Sequence, residues 1–120
     1  MSRTTELSEE ADILWRKAVK LGGRCLFCGN THGLEAHHLH HRGGTRYRWD
    51  IRNGICLCKW DHARFHGDAE DRQYAYLRLS KKRQDFIRRT ERFARDTITD
   101  KAGHAEKAIE KLKGIIEANP

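Results

Sequence analysis

The sequence predicts a small α+β domain in which two short strands and a short helix surround a metal-binding core. An N-terminal helix and a C-terminal helical extension flank it. Three observations predict this. The stretch Glu35–His66, EAHHLHHRGGTRYRWDIRNGICLCKWDHARFH, holds six of the eight histidines. A Cys-x2-Cys pair, Cys25 and Cys28, stands just upstream. Apolar residues at helical spacing lie on both sides of that region. The chain has 120 residues, 38% hydrophobic and 34% charged. That suits one domain with a modest core, which a bound metal helps to hold.

Residues 5–21 read as a helix, with acids in the first turn, lysines in the last and Gly22-Gly23 as the stop. Leu7, Ala11, Leu14, Trp15, Ala18, Val19 and Leu21 form its apolar stripe. Residues 24–34 form a knuckle in which Gly29 suits a backbone whose amides point at a thiolate. Residues 35–39 are expected to be a strand, followed by a polar loop to about Asn53 with a turn at Gly43-Gly44. Residues 54–58 read as a second strand. A short helix then carries His62 and His66 on one face, at i and i+4. From Asp68 to about Thr97 the spacing predicts one long helix with a thin apolar seam at Tyr74, Leu77, Phe86, the Arg89 stem and Phe93. Residues 101–118 form a last helix whose face of Ala105, Ala108, Ile109, Leu112, Ile115 and Ile116 must pack on the preceding helix, the core or a second protomer. The expected division is 1–70 for the core with its N-terminal helix and 71–120 for the basic helical extension.

The charge is unevenly placed. Residues 1–71 carry 11 Lys/Arg against 10 Asp/Glu, residues 72–95 carry 9 against 2, and residues 96–120 carry 4 against 5. The net +7 therefore sits in one segment, which points to a polyanionic partner, nucleic acid above all. No run approaches the ~20 apolar residues of a membrane span, and the polar start MSRTTELSEEAD has no apolar signal core. An intracellular, reducing setting is expected. There, cysteines in close pairs read as zinc ligands before disulfides. Cys25, Cys28 and Cys58 are the direct assignments for a structural zinc. Asp61 is the first choice for the fourth ligand, with Cys56 and His32 as rivals.

A His-x3-His helix says little alone. Combined with AHHL, RWD-x2-NG and LC-x3-H-x3-H, it resembles the HNH endonucleases, the ββα-metal nucleases, over about a third of the chain, from Cys25 to His66. That resemblance implies a metal-dependent endonuclease hydrolysing DNA phosphodiesters with low sequence specificity, leaving 5′-phosphate and 3′-hydroxyl ends. It makes His38, Asn53 and His62 the catalytic signature. His38 would be the general base, and Asn53 would pin the loop whose carbonyl holds its imidazole. His37, His62 and His66 would ligate the catalytic ion, with a distorted strand end needed to turn His37. Three imidazoles favour Zn2+, Mn2+, Ni2+ or Co2+ over Mg2+, although many relatives with Asp at the His37 position use Mg2+.

Arg42, Arg46, Arg48 and Arg52 ring the loop, and one or two of them are expected to clamp the scissile phosphate, with Arg48 the preferred candidate. His40 and His41 are assigned to the loop, either as solvent-exposed side chains or as further phosphate contacts. Trp49 is expected to pack, and Asp50 to cap a turn. Lys81, Lys82, Arg83, Arg88 and Arg89 would extend the contact along the DNA backbone. Small stand-alone proteins of this type look like those of bacteriophages, some of which assist the packaging terminase. That analogy makes the host cytoplasm the expected location and a terminase a candidate partner. Two other functions compete: a non-catalytic, zinc-stabilised nucleic-acid-binding or adaptor module, and an RNA-directed nuclease.

Overall fold

The computed structural model describes residues 2–40 and 46–119. Its elements in chain order are α1 (Arg3–Val19), β1 (Leu34–His38), β2 (Gly54–Cys58), α2 (Lys59–Phe65), α3 (Ala69–Leu77), α4 (Lys81–Thr90) and α5 (Lys101–Ala118). Short 3-10 turns occur at Ile51–Asn53 and Glu91–Phe93. None of the described helices is long and apolar enough to cross a membrane.

Helix α1 begins earlier than the acidic cluster suggests, because the Ser2 hydroxyl accepts from the Thr5 amide and caps it. It ends at Val19 with Lys20 as its cap, and the turn that follows closes at Gly23, which takes φ +66°. Ala11, Trp15 and Ala18 of the stripe are buried, and they pack with Trp49 and with Ala105, Ile109 and Leu112 of α5. Of the surfaces open to the last helix, α1 is thus the one it takes. Ion pairs join Arg3 to Glu106 and Glu10 to Lys113, advancing in the same direction along both helices. The two helices therefore lie side by side and parallel.

Strands β1 and β2 pair antiparallel, Leu34 opposite Cys58 and His38 opposite Gly54. Every residue of β2 is buried. Ile55, Leu57, Cys25, Cys58 and Leu79 form a second core, beside the first. Gly54 is where the two meet. A Cβ there would lie 2.4 Å from Val19 Cγ2 and 2.6 Å from Trp15 Cζ2, so α1 can seat on the hairpin end only over a glycine.

The single helix expected over 68–97 is a correction. It is two helices, broken at residues 78–80. The Ser80 hydroxyl accepts from the Arg83 amide and starts α4, while Leu79 turns into the second core at 3% exposure. The seam shifts accordingly. Tyr74 and Leu77 are exposed, and Ala75, Leu79 and Phe86 are the buried residues. A capping serine inside a basic run was the available signal, and it lost to the apparent periodicity.

Candidate metal centres and the hairpin end

Two groups of ligand-type side chains converge. In each, the ligand atoms all lie within 4.8 Å of one another. The first joins Cys25 and Cys28 of the knuckle to Cys58, which ends β2, and Asp61, in the first turn of α2. The knuckle closes through Gly29, at φ +76°, whose amide donates to the Cys25 carbonyl at 3.0 Å. The separations suit one tetrahedral ion. Metal–sulfur bonds of about 2.3 Å put two sulfurs ~3.7 Å apart, and a sulfur and a carboxylate oxygen ~3.5 Å apart. Cys28 and Cys58 are 3.7 Å apart, and Asp61 Oδ2 lies 3.5 Å from Cys58 Sγ and 3.2 Å from Cys25 Sγ. Among the described residues Asp61 thus completes the set, and neither Cys56 nor His32 belongs to it.

The electrostatics of the group suit a cation. Burial raises the Cys25 thiol, but backbone hydrogen bonds from Cys58, Cys28 and Phe27 outweigh it and hold Cys25 below its ordinary value. At Cys28 the Asn30 backbone lowers the thiol. Burial and the neighbouring Cys25, Cys58 and Asp61 overcome that and push it to about 11. Asp61 is raised by burial but held low, on balance, by the three thiols and Arg78. Four acidic groups crowded this closely cannot all be anionic unaided, and a divalent ion such as zinc would supply the missing charge. Arg78 backs the arrangement. It lies 3.7 Å from Asp61 Oδ1, donates to the Phe27 carbonyl at 2.9 Å and covers the Phe27 ring.

The second group is His37 of β1 with His62 of α2 and His66 just after it. His62 and His66 bring their Nε2 atoms to 3.3 Å, the separation expected of two imidazoles on one tetrahedral ion with bonds of ~2.0–2.1 Å. His62 Nδ1 donates to Glu35 Oε1 at 2.9 Å, which fixes the ring with Nε2 toward its partners. Buried His37 stacks on Phe65. Desolvation, with repulsion from His62, His66 and His38, lowers its pKa to about 3, so it is a neutral imidazole with a lone pair to offer. Glu35 was missed from the sequence. Its place two residues before His37, hence on the same strand face, was the signal.

His38 lies on the other face. Its ring stacks on Trp15, centroids 3.8 Å apart and planes at 8°, and its Nε2 lies 2.9 Å from the Arg48 carbonyl oxygen. The ladder runs unbroken through His37 and His38, so the expected strand distortion is absent. Helix α2 comes to His37 instead. Asn53, at 1% exposure, accepts from the His40 amide at 2.7 Å and donates to the carbonyls of Tyr47 and His40. It therefore ties together the two sides of the loop that carries Arg48.

The remaining expectations divide. Arg42 and His41 lie outside the described residues. Arg48 is not available as a phosphate clamp in this structure, because Asp12 takes its guanidinium in a two-point pair at 3.0 and 2.6 Å. Asp12 also accepts from the Trp49 indole at 2.8 Å, so Trp49 packs as expected. Asp50 caps the 3-10 turn by accepting from the Arg52 amide. His40, expected in the loop as a phosphate contact, is corrected: it is buried and hydrogen-bonds Thr90 Oγ1 at 2.6 Å. Arg46 pairs with Asp96, and Arg88 with Asp85. Arg83 donates to the Gly54 carbonyl at 2.6 Å, and Lys81, Lys82 and Arg89 are exposed.

Compared with family models, with curated proteins and with solved structures, the chain matches none.

Proposed function

We propose that the protein is a metal-dependent endonuclease of the HNH type, hydrolysing phosphodiester bonds in DNA. The observation that carries this reading is the adjacency of two histidines with opposite assignments. Buried His37 turns into an imidazole triad, while His38, the next residue, is held by its Nε2 on a carbonyl beyond the opposite face of the strand. A site that only bound metal has no use for the second.

A divalent cation held by His37, His62 and His66 would supply Lewis acidity toward the phosphate and its leaving oxygen. The rest is the work of the chain. With Nε2–H donating to the Arg48 carbonyl, a neutral His38 carries its lone pair on Nδ1, the atom assigned to take the proton from the attacking water. Trp15 fixes the plane of the ring, and Asn53 fixes the loop that presents the carbonyl. Glu35 holds His62 in the tautomer that leaves Nε2 for the ion. The thiol and carboxylate set of Cys25, Cys28, Cys58 and Asp61 is assigned to a structural zinc.

The second reading, a zinc-stabilised nucleic-acid-binding or adaptor module, draws on the commitment of Arg48 to Asp12, which removes one phosphate clamp. Plasmid cleavage separates the two. Wild type and His38→Ala would be compared after chelation and re-addition of Mg2+, Mn2+, Ni2+, Co2+ or Zn2+. The nuclease reading expects cleavage by wild type with at least one ion and its loss in the variant. Identical traces under every metal would leave the binding module.

A further inference from the structure

Where the turn at residues 51–52 meets α4, a groove of about 340 Å³ is lined by Arg52, Lys82, Arg83 and Arg89, with Phe86 and Ser80 among its other walls and no acid. The four cations are not equivalent. Arg83 belongs to the scaffold: it is partly buried, burial lowers its pKa, and its guanidinium donates to the carbonyls of Gly54 and Arg52. Arg52 is half-spent, because Asp50 takes its guanidinium while the group lies 4.9 Å over the Phe86 ring. Lys82 and Arg89 are exposed and have no acidic partner among the described residues. Nearby Asp85 is occupied by Arg88 at 2.6 Å.

Lys82 and Arg89 stand at i and i+7 on one face of α4, about 10 Å apart along the helix axis. Phe86 lies between them at 4% exposure. A row of cations over an apolar floor suits a linear polyanion better than a point charge. The aromatic ring is too deep to stack on a base. The groove also adjoins the hairpin end, since Arg83 holds the carbonyl of Gly54, the ladder partner of His38.

We infer that this groove is a track for the phosphate backbone of a nucleic-acid strand, with Lys82 and Arg89 as its principal contacts. It continues the substrate past the hairpin end, and it rests on the nucleic-acid part of the function proposed above. Its contacts go to phosphates, so they set the register of the substrate and are neutral to its sequence. Arg88, one residue from Arg89 on the same helix, lies outside the groove lining and takes no part.

The experiment measures binding of a labelled DNA duplex of arbitrary sequence by metal-loaded full-length protein over a salt series. His38→Ala serves as the background, so cleavage does not interfere. Binding is read whether or not the protein is a nuclease, which keeps a failure of this inference distinct from a failure of the catalytic reading. Lys82→Ala and Arg89→Ala are each expected to weaken binding about fivefold and to reduce the salt slope by about one. Arg88→Ala, with the same loss of charge, is expected to leave both unchanged. All three sites are exposed, and unchanged melting temperatures verify that the variants fold. Equal losses in all three would show diffuse attraction and overturn the track. Tighter binding of polyaspartate than of the duplex, lost in Lys82→Ala and Arg89→Ala, would assign the groove to an acidic protein partner and overturn the track. Duplex binding that none of the three alters would also overturn it.

Discussion

The two candidate metal centres share one short stretch of chain, and they differ in almost every physical respect. The cysteine centre has four protein donors, three of them buried, and it joins residues far apart in sequence. The histidine centre has three donors, only one buried, and His66 is exposed. One is closed and the other has room for further ligands, the difference that separates structural from catalytic sites. Their supports differ as well. Arg78 faces the spare oxygen of Asp61, a contact that neutralises charge. Glu35 accepts from His62 and orients it. The comparison teaches that position along the chain does not decide a ligand's job. Asp61 and His62 are neighbours, yet the turn of α2 sends them to different centres.

The largest effect expected is on the cysteine side. Cys58→Ser should abolish binding of the ion proposed to tie the knuckle to β2 and α2. Structural zinc contributes on the order of 10 kcal/mol in small domains. Loss of the cooperative melting transition and of one metal equivalent would be seen by far-UV spectroscopy and elemental analysis. A normal melt would break the comparison by making this centre dispensable. On the other side, His38→Ala should lower the cleavage rate by about 10²–10⁴-fold with metal content held, and lower the melting temperature modestly through the lost stack on Trp15.

Asp12→Ala tests the support beneath His38. It leaves Arg48 and the Trp49 indole without their acceptor, and the expected cost is about 2 kcal/mol in chemical denaturation, with reduced cleavage. Stability lost without any fall in cleavage would confine Asp12 to a structural part. Glu35→Gln should leave the fold intact and weaken metal binding at the histidine centre by roughly 10–100-fold, read by calorimetric titration.

A further effect concerns pH. His37 titrates at about 3 in the fold against 6.5 ordinarily, because burial and the neighbouring imidazoles disfavour its charge. Between those values the unfolded chain takes up a proton that the folded chain refuses. The stabilisation is therefore fully present above about pH 6.5 and declines as pH falls toward 3. The melting temperature should fall with acid across that window, and more gently in His37→Phe. Equal slopes would mean that His37 is not the group refusing the proton.

Much of this was legible in the sequence because it is local. The bounds of β2 and α5, the convergence of Cys25, Cys28 and Cys58 as candidate metal donors, and the shared face of His62 and His66 all follow from short spacings. What was not legible depends on tertiary packing. Asp12 sits next to the apolar stripe of α1 and would pass for a surface acid until Trp49 and Arg48 are folded over it. The distortion expected at His37 assumed a fixed partner, whereas α2 approaches a regular strand. The break at residues 78–80 followed from Leu79 finding a core that periodicity does not reveal.

Two ions with separate jobs are proposed to meet around the hairpin and α2. A graded chelator titration of the metal-loaded protein, with plasmid cleavage and far-UV signal read on the same samples, tests it most directly. Two equivalents of metal are expected at the start. Cleavage should be lost at chelator levels that leave the fold intact, and the fold only as the second equivalent departs. Cleavage and fold disappearing together with a single equivalent, or cleavage persisting after the first ion has gone, would contradict it.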